Sequence, residues 1–323
     1  MYAVRHMNGL TDVPGILVGH VSDYDGLTGC TAILCESGAV GGADVRGAAT
    51  GTQEFDLFNP LHLTDRIHAV VLAGGSAFGL EAAAGVRRYL EHKGIGFHLT
   101  GPPVPLVPCA ILYDLGIGKS TAHPTREMGE SAAAAATSKP VIEGAVGAGT
   151  GATVGKVFDM ERAMKSGIGT YTVTLDGGVL VSALAAVNAV GDVIDAATGK
   201  IVAGARVSKE SREFANSAEQ FKRGAGVRNL RNKNTTLVVV ATNARLTKPG
   251  SNKLAQLASA GVARSISPVW TLYDGDLVVA LSLGEKQADM NALGVAAAEA
   301  VSRSIVRAVE WAPTLGGVPG LKG

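Results

Sequence analysis

The run Thr235-Thr236-Leu237-Val238-Val239-Val240-Ala241-Thr242 constrains the fold of this 323-residue chain more than any other segment. It is β-branched and apolar on both faces, so a strand built from it must be covered from above and below. Similar apolar runs predict further strands at 16–20, 31–34, 69–72, 170–175, 180–187 and 277–281. Between them, Ala- and Gly-rich stretches predict helices at 77–91, 127–136, 210–221, 251–266 and 288–312. The last is long and free of proline until its end, so its small residues are expected to pack closely against a sheet. No internal repeat is present. Glycines cluster at 41–51, 74–79 and 144–155, which predicts tight turns or close backbone approaches.

The same chain is apolar overall. Hydrophobic residues make up 46% and charged ones 18%, with a mean hydropathy of +0.23. A soluble protein of this composition is expected to hide part of its surface by self-association. Every apolar run is broken by Gly, Pro or a charge before it reaches membrane-spanning length, so no membrane segment is expected. The opening Met1-Tyr2-Ala3-Val4-Arg5-His6 has no signal-peptide core, and the expected location is cytoplasmic. Net charge is +1, without a basic stripe, so nucleic acid is not an expected partner. Cys30, Cys35 and Cys109 have neither CxxC nor zinc spacing and read as reduced, buried thiols. The seven histidines form no HxxxH or HExxH pair, so neither a metal nor another cofactor is expected.

Function enters at the seam before the covered strand. Segment 208–234 is charged and rich in Gly and Asn, and it ends at Asn234. A cut after Asn234 would make Thr235 a new N-terminus carrying a nucleophile and its own base. The threonine hydroxyl is too weak an acid to attack an amide unaided. A free α-amine titrates near ~7.7–8.0, close to where a general base works best. In the intact chain, Thr235 Oγ could attack the Asn234 carbonyl itself. Ordinary β-propensity also accounts for a threonine pair at the start of a strand. The sequon Asn234-Thr235-Thr236 is set aside because no secretory signal precedes it.

Other motifs narrow the chemistry. Ser76 follows a strand and opens a helix, but Phe78 replaces the second glycine of a nucleophile elbow, so Ser76 is read as a helix N-cap. Its helix N-terminus retains the capacity to bind a carboxylate. Gly151-Ala152-Thr153-Val154-Gly155-Lys156-Val157 lacks the first glycine and the final Ser or Thr of a phosphate loop, which argues against ATP. Gly147-Ala148-Gly149-Thr150-Gly151 also fails as a dinucleotide fingerprint. Lys156 is left as a lone charge within a glycine-rich segment. Tyr273-Asp274-Gly275-Asp276 carries a hairpin signal that explains Asp274 and Gly275 better than it explains Asp276. Asn188 is a lone amide near the end of an apolar strand, either a turn residue or an oxyanion donor.

With these residues assembled, the chain resembles the L-aminopeptidase/D-amidase/D-esterase family, which includes β-peptidyl aminopeptidases and nylon-oligomer (6-aminohexanoate oligomer) hydrolases. The matching segments run almost end to end: Gly9 to His20, Ala43 to Gly51, Leu72 to Leu80, Ile111 to Asp114, Ala152 to Val157, Ala185 to Asp195, Asn234 to Asn243, and Asp274-Gly275-Asp276. The resemblance implies an α+β, four-layer αββα sandwich of the N-terminal nucleophile hydrolase type. It implies a single domain that cuts itself at Asn234–Thr235 into an α chain, 1–234, and a β chain, 235–323. Thr235 would be the nucleophile and Lys156 the lysine that tunes it. Asn188 would stabilise the oxyanion and Tyr113 would donate to substrate or oxyanion. Asp274 and Asp276 would orient the amines. A second lysine, Lys165, occupies a context used in other branches, so both lysines stand as candidates to face the nucleophile. The implied substrate is a small peptide or amide, and the implied assembly is a homotetramer. Rival readings are an acyltransferase of the ornithine acetyltransferase type and a non-catalytic oligomeric ligand-binding protein.

Overall fold

The computed structural model describes residues 9–225 and 234–322. Its centre is a nine-stranded sheet. In chain order the strands are β1 (Leu17–Asp23), β2 (Thr28–Val45), β3 (Gly51–Gln53), β4 (Arg66–Ala73), β5 (Cys109–Ile111), β6 (Ile168–Leu175), β7 (Val179–Asn188), β8 (Thr235–Ala244) and β9 (Leu277–Lys286). The principal helices are α1 (Glu81–His92), α2 (Arg126–Ala134), α3 (Lys248–Ser265) and α4 (Met290–Glu310). The strand order is β3-β5-β4-β2-β9-β8-β7-β6, with β1 also paired to β2.

Strand β2 belongs to two neighbourhoods. Its first half, Cys30 to Leu34, pairs with β4, and its last residues, Val40 to Val45, pair with β9. Between them the register with β4 shifts, and Gly38 takes a left-handed φ of 83°. The sheet therefore continues through β2 as two halves that face one another.

Three cores, sorted by strand alternation, define the layers. On one face of β8, Leu237, Val239 and Ala241 pack with Leu277, Val279, Leu184 and Ala186, and with Ile33, Val70 and Leu72 from the other half-sheet. On the opposite face, Val238 and Val240 join Val278, Ala280 and Ala183 against Leu254, Ala258, Ala297 and Val301 of α3 and α4. On the far side, Ala32, Leu34, Ala69 and Val71 meet Val86, Leu90 and Ala132 of α1 and α2. The order is helix, sheet, sheet, helix, the expected αββα sandwich. The run that required cover on both sides thus lies between a helical layer and a second sheet, where all ten residues of β8 are buried.

Small residues allow this close stacking. A side chain at Gly42 would collide with the backbone of Ser251 and Asn252, so α3 can lie directly on β2 only because Gly42 has none. Helix α3 is capped by Thr247, whose side chain accepts from Gly250 N, and α4 is capped by Asp289.

Three expectations differ from the structure. The helix expected at 210–221 shrinks to Ser217–Lys222. Asn216, at a φ of 59°, caps it by accepting from Glu219 N, and upstream Arg206 bridges Phe214 instead. Ser76 is not an N-cap. It sits inside a 3-10 turn, Ser76–Leu80, with a φ of 53° and Gly75 at the cap position. Strand β2 runs far beyond the expected 31–34, because its glycines lie within the strand where packing demands small residues. Cys30, Cys35 and Cys109 are free and buried. No helix among the described residues is long and apolar enough to cross a membrane.

Candidate active site

The site forms where the central strands end. Thr235 is the first residue of β8, is 4% exposed, and lies directly across the antiparallel ladder from Asn188, the last residue of β7. On the other side β9 runs parallel, and an isolated bridge pairs Asn234 with Asp274. Asn188, Asn234, Thr235, Asp274 and Gly275 are therefore neighbours by register. Sequence separations of about 40 residues or more are closed by the β7-β8-β9 order alone.

Around the 234–235 bond the geometry is tight. Thr235 Oγ1 donates to the Asn234 carbonyl oxygen at 2.5 Å. The same oxygen accepts from Gly275 N at 2.9 Å. A Cβ on Gly275 would stand 2.7 Å from Thr235 Oγ1 and 2.8 Å from Ala49 O, so only glycine presents this N–H without displacing the hydroxyl. The turn holding Gly275 is fixed from outside, since Arg46 N and Gly47 N donate to Asp276 O and Ala49 N to Asp274 O.

Lys156 reaches this cluster through Asn188. Its Nζ donates to Asn188 O at 2.9 Å and to Asn188 Oδ1 at 2.7 Å. Thr153 N donates to the same Oδ1 at 3.1 Å, and Asn188 Nδ2 donates to Tyr113 O at 2.9 Å. The Asn188 amide thus holds Lys156 and the main chain of Tyr113. The backbone donor on the Asn234 carbonyl is the Gly275 N–H. Tyr113, Asp114, Thr153, Lys156 and Met160 line a small cleft beside these groups.

Asp274 and Asp276 are each 2% exposed. Asp274 Oδ2 accepts from Thr271 N at 2.8 Å and from Thr271 Oγ1 at 2.7 Å. Asp276 Oδ1 accepts from Thr236 N at 2.6 Å. Burial raises both carboxyls above the ordinary carboxylate range, and the Asp274 charge raises Asp276 further. The Lys156 ammonium works in the opposite direction on both. Asn234 itself is 2% exposed, and its Oδ1 and Nδ2 find no hydrogen-bond partner among the described residues; nor does Thr236 Oγ1. An unsatisfied buried polar group costs about 1–3 kcal/mol.

Lys165 lies elsewhere in the hydrogen-bond network. Fully buried, its Nζ donates to the carbonyls of Gly149 at 3.2 Å, Ala152 at 2.7 Å and Ser166 at 2.7 Å. Burial lowers its pKa to about 7, with the Asp114 charge opposing that fall. Asp114 accepts from Gly75 N at 2.6 Å and Thr28 Oγ1 at 2.8 Å, and burial lifts it to about 6. The carboxylate seated at the turn after β4 is therefore the protein's own. Of the two candidate lysines, Lys156 contacts the residue facing Thr235.

Sequence reasoning missed Gly275 N, Thr153 and the Asp114–Lys165 pair. The glycine between two acids was the available signal for the first. Backbone donors otherwise leave no mark in sequence, and Asp114 was visible only as the neighbour of Tyr113.

This layered fold is shared with a solved structure. The L-aminopeptidase D-Ala-esterase/amidase from Ochrobactrum anthropi, described as a variant of the Ntn hydrolase fold, superposes with a TM-score of 0.72. It covers 97% of this chain and 88% of that one at 20% identity. The protein thus has this variant of the Ntn hydrolase fold. Residues 8–322 match the model of peptidase family S58, and the chain belongs to that family. It is 37% identical to an uncharacterized aminopeptidase of Mycobacterium leprae (strain TN), over 97% of this chain and 93% of the relative. It is 32% identical to the 6-aminohexanoate-oligomer endohydrolase of Paenarthrobacter ureafaciens, over 85% of this chain and 74% of the relative.

Proposed function

We propose that this amide hydrolase is made as a precursor that cuts its own Asn234–Thr235 bond and then works through Thr235 as an N-terminal nucleophile. The observation that carries this reading is the pair of contacts on the Asn234 carbonyl, Thr235 Oγ1 at 2.5 Å and Gly275 N at 2.9 Å. One of them is a nucleophile and the other an oxyanion donor.

In self-cleavage, Oγ forms a bond to the Asn234 carbonyl carbon while Gly275 N–H supports the oxyanion. The C–N bond then breaks, the Oγ proton ends on the Thr235 nitrogen, and an ester links Asn234 to Oγ. Water hydrolyses the ester, leaving an Asn234 carboxylate and a free Thr235 amine. In turnover that amine takes the Oγ proton as Oγ attacks the substrate carbonyl, and returns it to the departing amine. Water, deprotonated by the same amine, releases the acyl group as a carboxylic acid. Lys156, anchored on Asn188, places a positive charge beside the nucleophile and favours the neutral amine that can act as base. Asp274 and Asp276 supply a buried acid pair that counterbalances Lys156. Asn188 orients Lys156, and rotation of its amide would make it a second oxyanion donor. Tyr113 forms a wall of the acyl or leaving-group cleft.

The substrates are small peptides or amides, the chemistries that the names of the aminopeptidase and aminohexanoate-oligomer relatives carry. On denaturing electrophoresis the purified protein is expected as two fragments divided before Thr235. Thr235→Ala is expected as one inactive chain. An unsplit wild-type protein with full activity would overturn the mechanism. Substrate cleavage that depends strictly on an added amine, with the acyl group recovered as the new amide, would instead favour acyl transfer.

A further inference from the structure

Resting on that reading, one nucleophile attacks two acyl groups, that of Asn234 in the precursor and that of the substrate in the mature enzyme. The attacking Oγ and the Gly275 N–H are common to both reactions. Both carbonyls must therefore occupy the same place, because in-line attack and oxyanion support fix it. The side chain one atom behind each carbonyl must then occupy the same seat. We propose that the seat of the Asn234 side chain is the acyl-side specificity pocket, and that it takes short, uncharged side chains.

The character of the seat follows from how badly it suits its present occupant. Asn234 is 2% exposed, yet neither its amide nitrogen nor its amide oxygen is paired among the described residues. Two residues along the strand, on the same face by alternation, Thr236 Oγ1 is buried and unpaired as well. Walls that leave an amide unsatisfied offer nothing to a charge. The adjacent carboxylates are already engaged, Asp274 by Thr271 and Asp276 by Thr236 N. An acidic side chain would meet these carboxyls at close range, and a basic one, longer than the asparagine now seated, would have to compete with Lys156 for them. A short aliphatic or hydroxyl group has no amide to strand and loses nothing on entry. The cut Asn234 end, held by no side-chain hydrogen bond, then gives way to substrate.

Two arms test this. In the first, mature wild-type enzyme is assayed on the p-nitroanilides of alanine, serine, aspartate and lysine. The kcat/KM values for alanine and serine are expected to exceed those for aspartate and lysine at least about tenfold. In the second, Asn234→Ala, Asn234→Asp and Asn234→Lys chains are followed for self-splitting by denaturing electrophoresis, with circular dichroism confirming that each folds. Asn234→Ala should split readily and the charged variants about tenfold or more slowly, in the same order as the anilides. Charged anilides hydrolysed as fast as the alanine compound, opposite rankings in the two arms, or a folded but uncut Asn234→Ala chain would each overturn the pocket assignment. Splitting that persists in Thr235→Ala would instead remove the nucleophile on which the proposal rests.

Discussion

Lys156 and Lys165 lie nine positions apart, are 4% and 0% exposed, and do different work. Lys165 gives all three donors to main-chain carbonyls of Gly149, Ala152 and Ser166, and so knits a glycine-rich turn to its neighbour strand. Lys156 spends two bonds on a single residue, Asn188, which stands opposite Thr235, and its charge is felt by Asp274 and Asp276. Burial alone therefore does not say which of the two lysines serves the proposed reaction. What separates them in the structure is that Lys156 meets an amide side chain opposite Thr235, whereas the three hydrogen bonds of Lys165 all go to main-chain carbonyls.

The largest expected effect tests the structural half of this contrast. Lys165→Met leaves three main-chain carbonyls without their buried donor and removes a charge that favours the Asp114 carboxylate, and should cost about 3–5 kcal/mol of stability in denaturant unfolding. Its surviving folded fraction should still cut itself. Lys156→Met should reverse the pattern, with a folded protein whose splitting and turnover fall about 10²–10³-fold. If Lys156→Met unfolds the chain while Lys165→Met removes only activity, the roles must be exchanged.

The smallest effect is in the pH dependence of stability. Asp114 is raised to about 6 when folded, against an ordinary 3.8, so between these values the native state binds more protons than the unfolded one. Its contribution to stability therefore falls as pH rises from about 3.8 to about 6. Lys165 is lowered from 10.5 to about 7, so the unfolded state binds more protons there and stability rises with pH across that window. Asp114→Asn should remove the lower slope and leave the upper one, as read from denaturation midpoints at a series of pH values. An unchanged lower slope would mean that Asp114 is not the titrating group.

Sequence carried the layered architecture further than it carried the site. Thr235 to Thr242 demanded cover on both faces, and β8 lies between a helical layer and a second sheet. The termini of α3 and α4 came within a few residues, because their small-residue stripes and caps are local signals. Strand β2 was only partly legible, since the glycine cluster beginning at Gly41 reads equally as tight turns or close approaches until Phe58 is seen against Gly41 and α3 against Gly42. The helix expected over 210–221 failed for a related reason, in that a positive φ at Asn216 is set by tertiary context. In the site, residue types were legible and partnerships were not. Nothing in the spacing of Lys156 and Lys165 says which meets Asn188, and Gly275 donates through its backbone N–H, a group that every residue but proline carries.

Strand order has one more consequence. Residues 235–322 supply β8 and β9, which lie side by side in the middle of the sheet, flanked by β7 and β2 from the other part of the chain. Severing the chain ahead of Thr235 would therefore not free a lobe. The two pieces would stay mortised through ladders on both flanks, and native mass spectrometry should record an undiminished particle where a denaturing gel resolves two bands. Reassembly from separated pieces would require rebuilding the sheet from its centre, so maturation of this kind would be a one-way event.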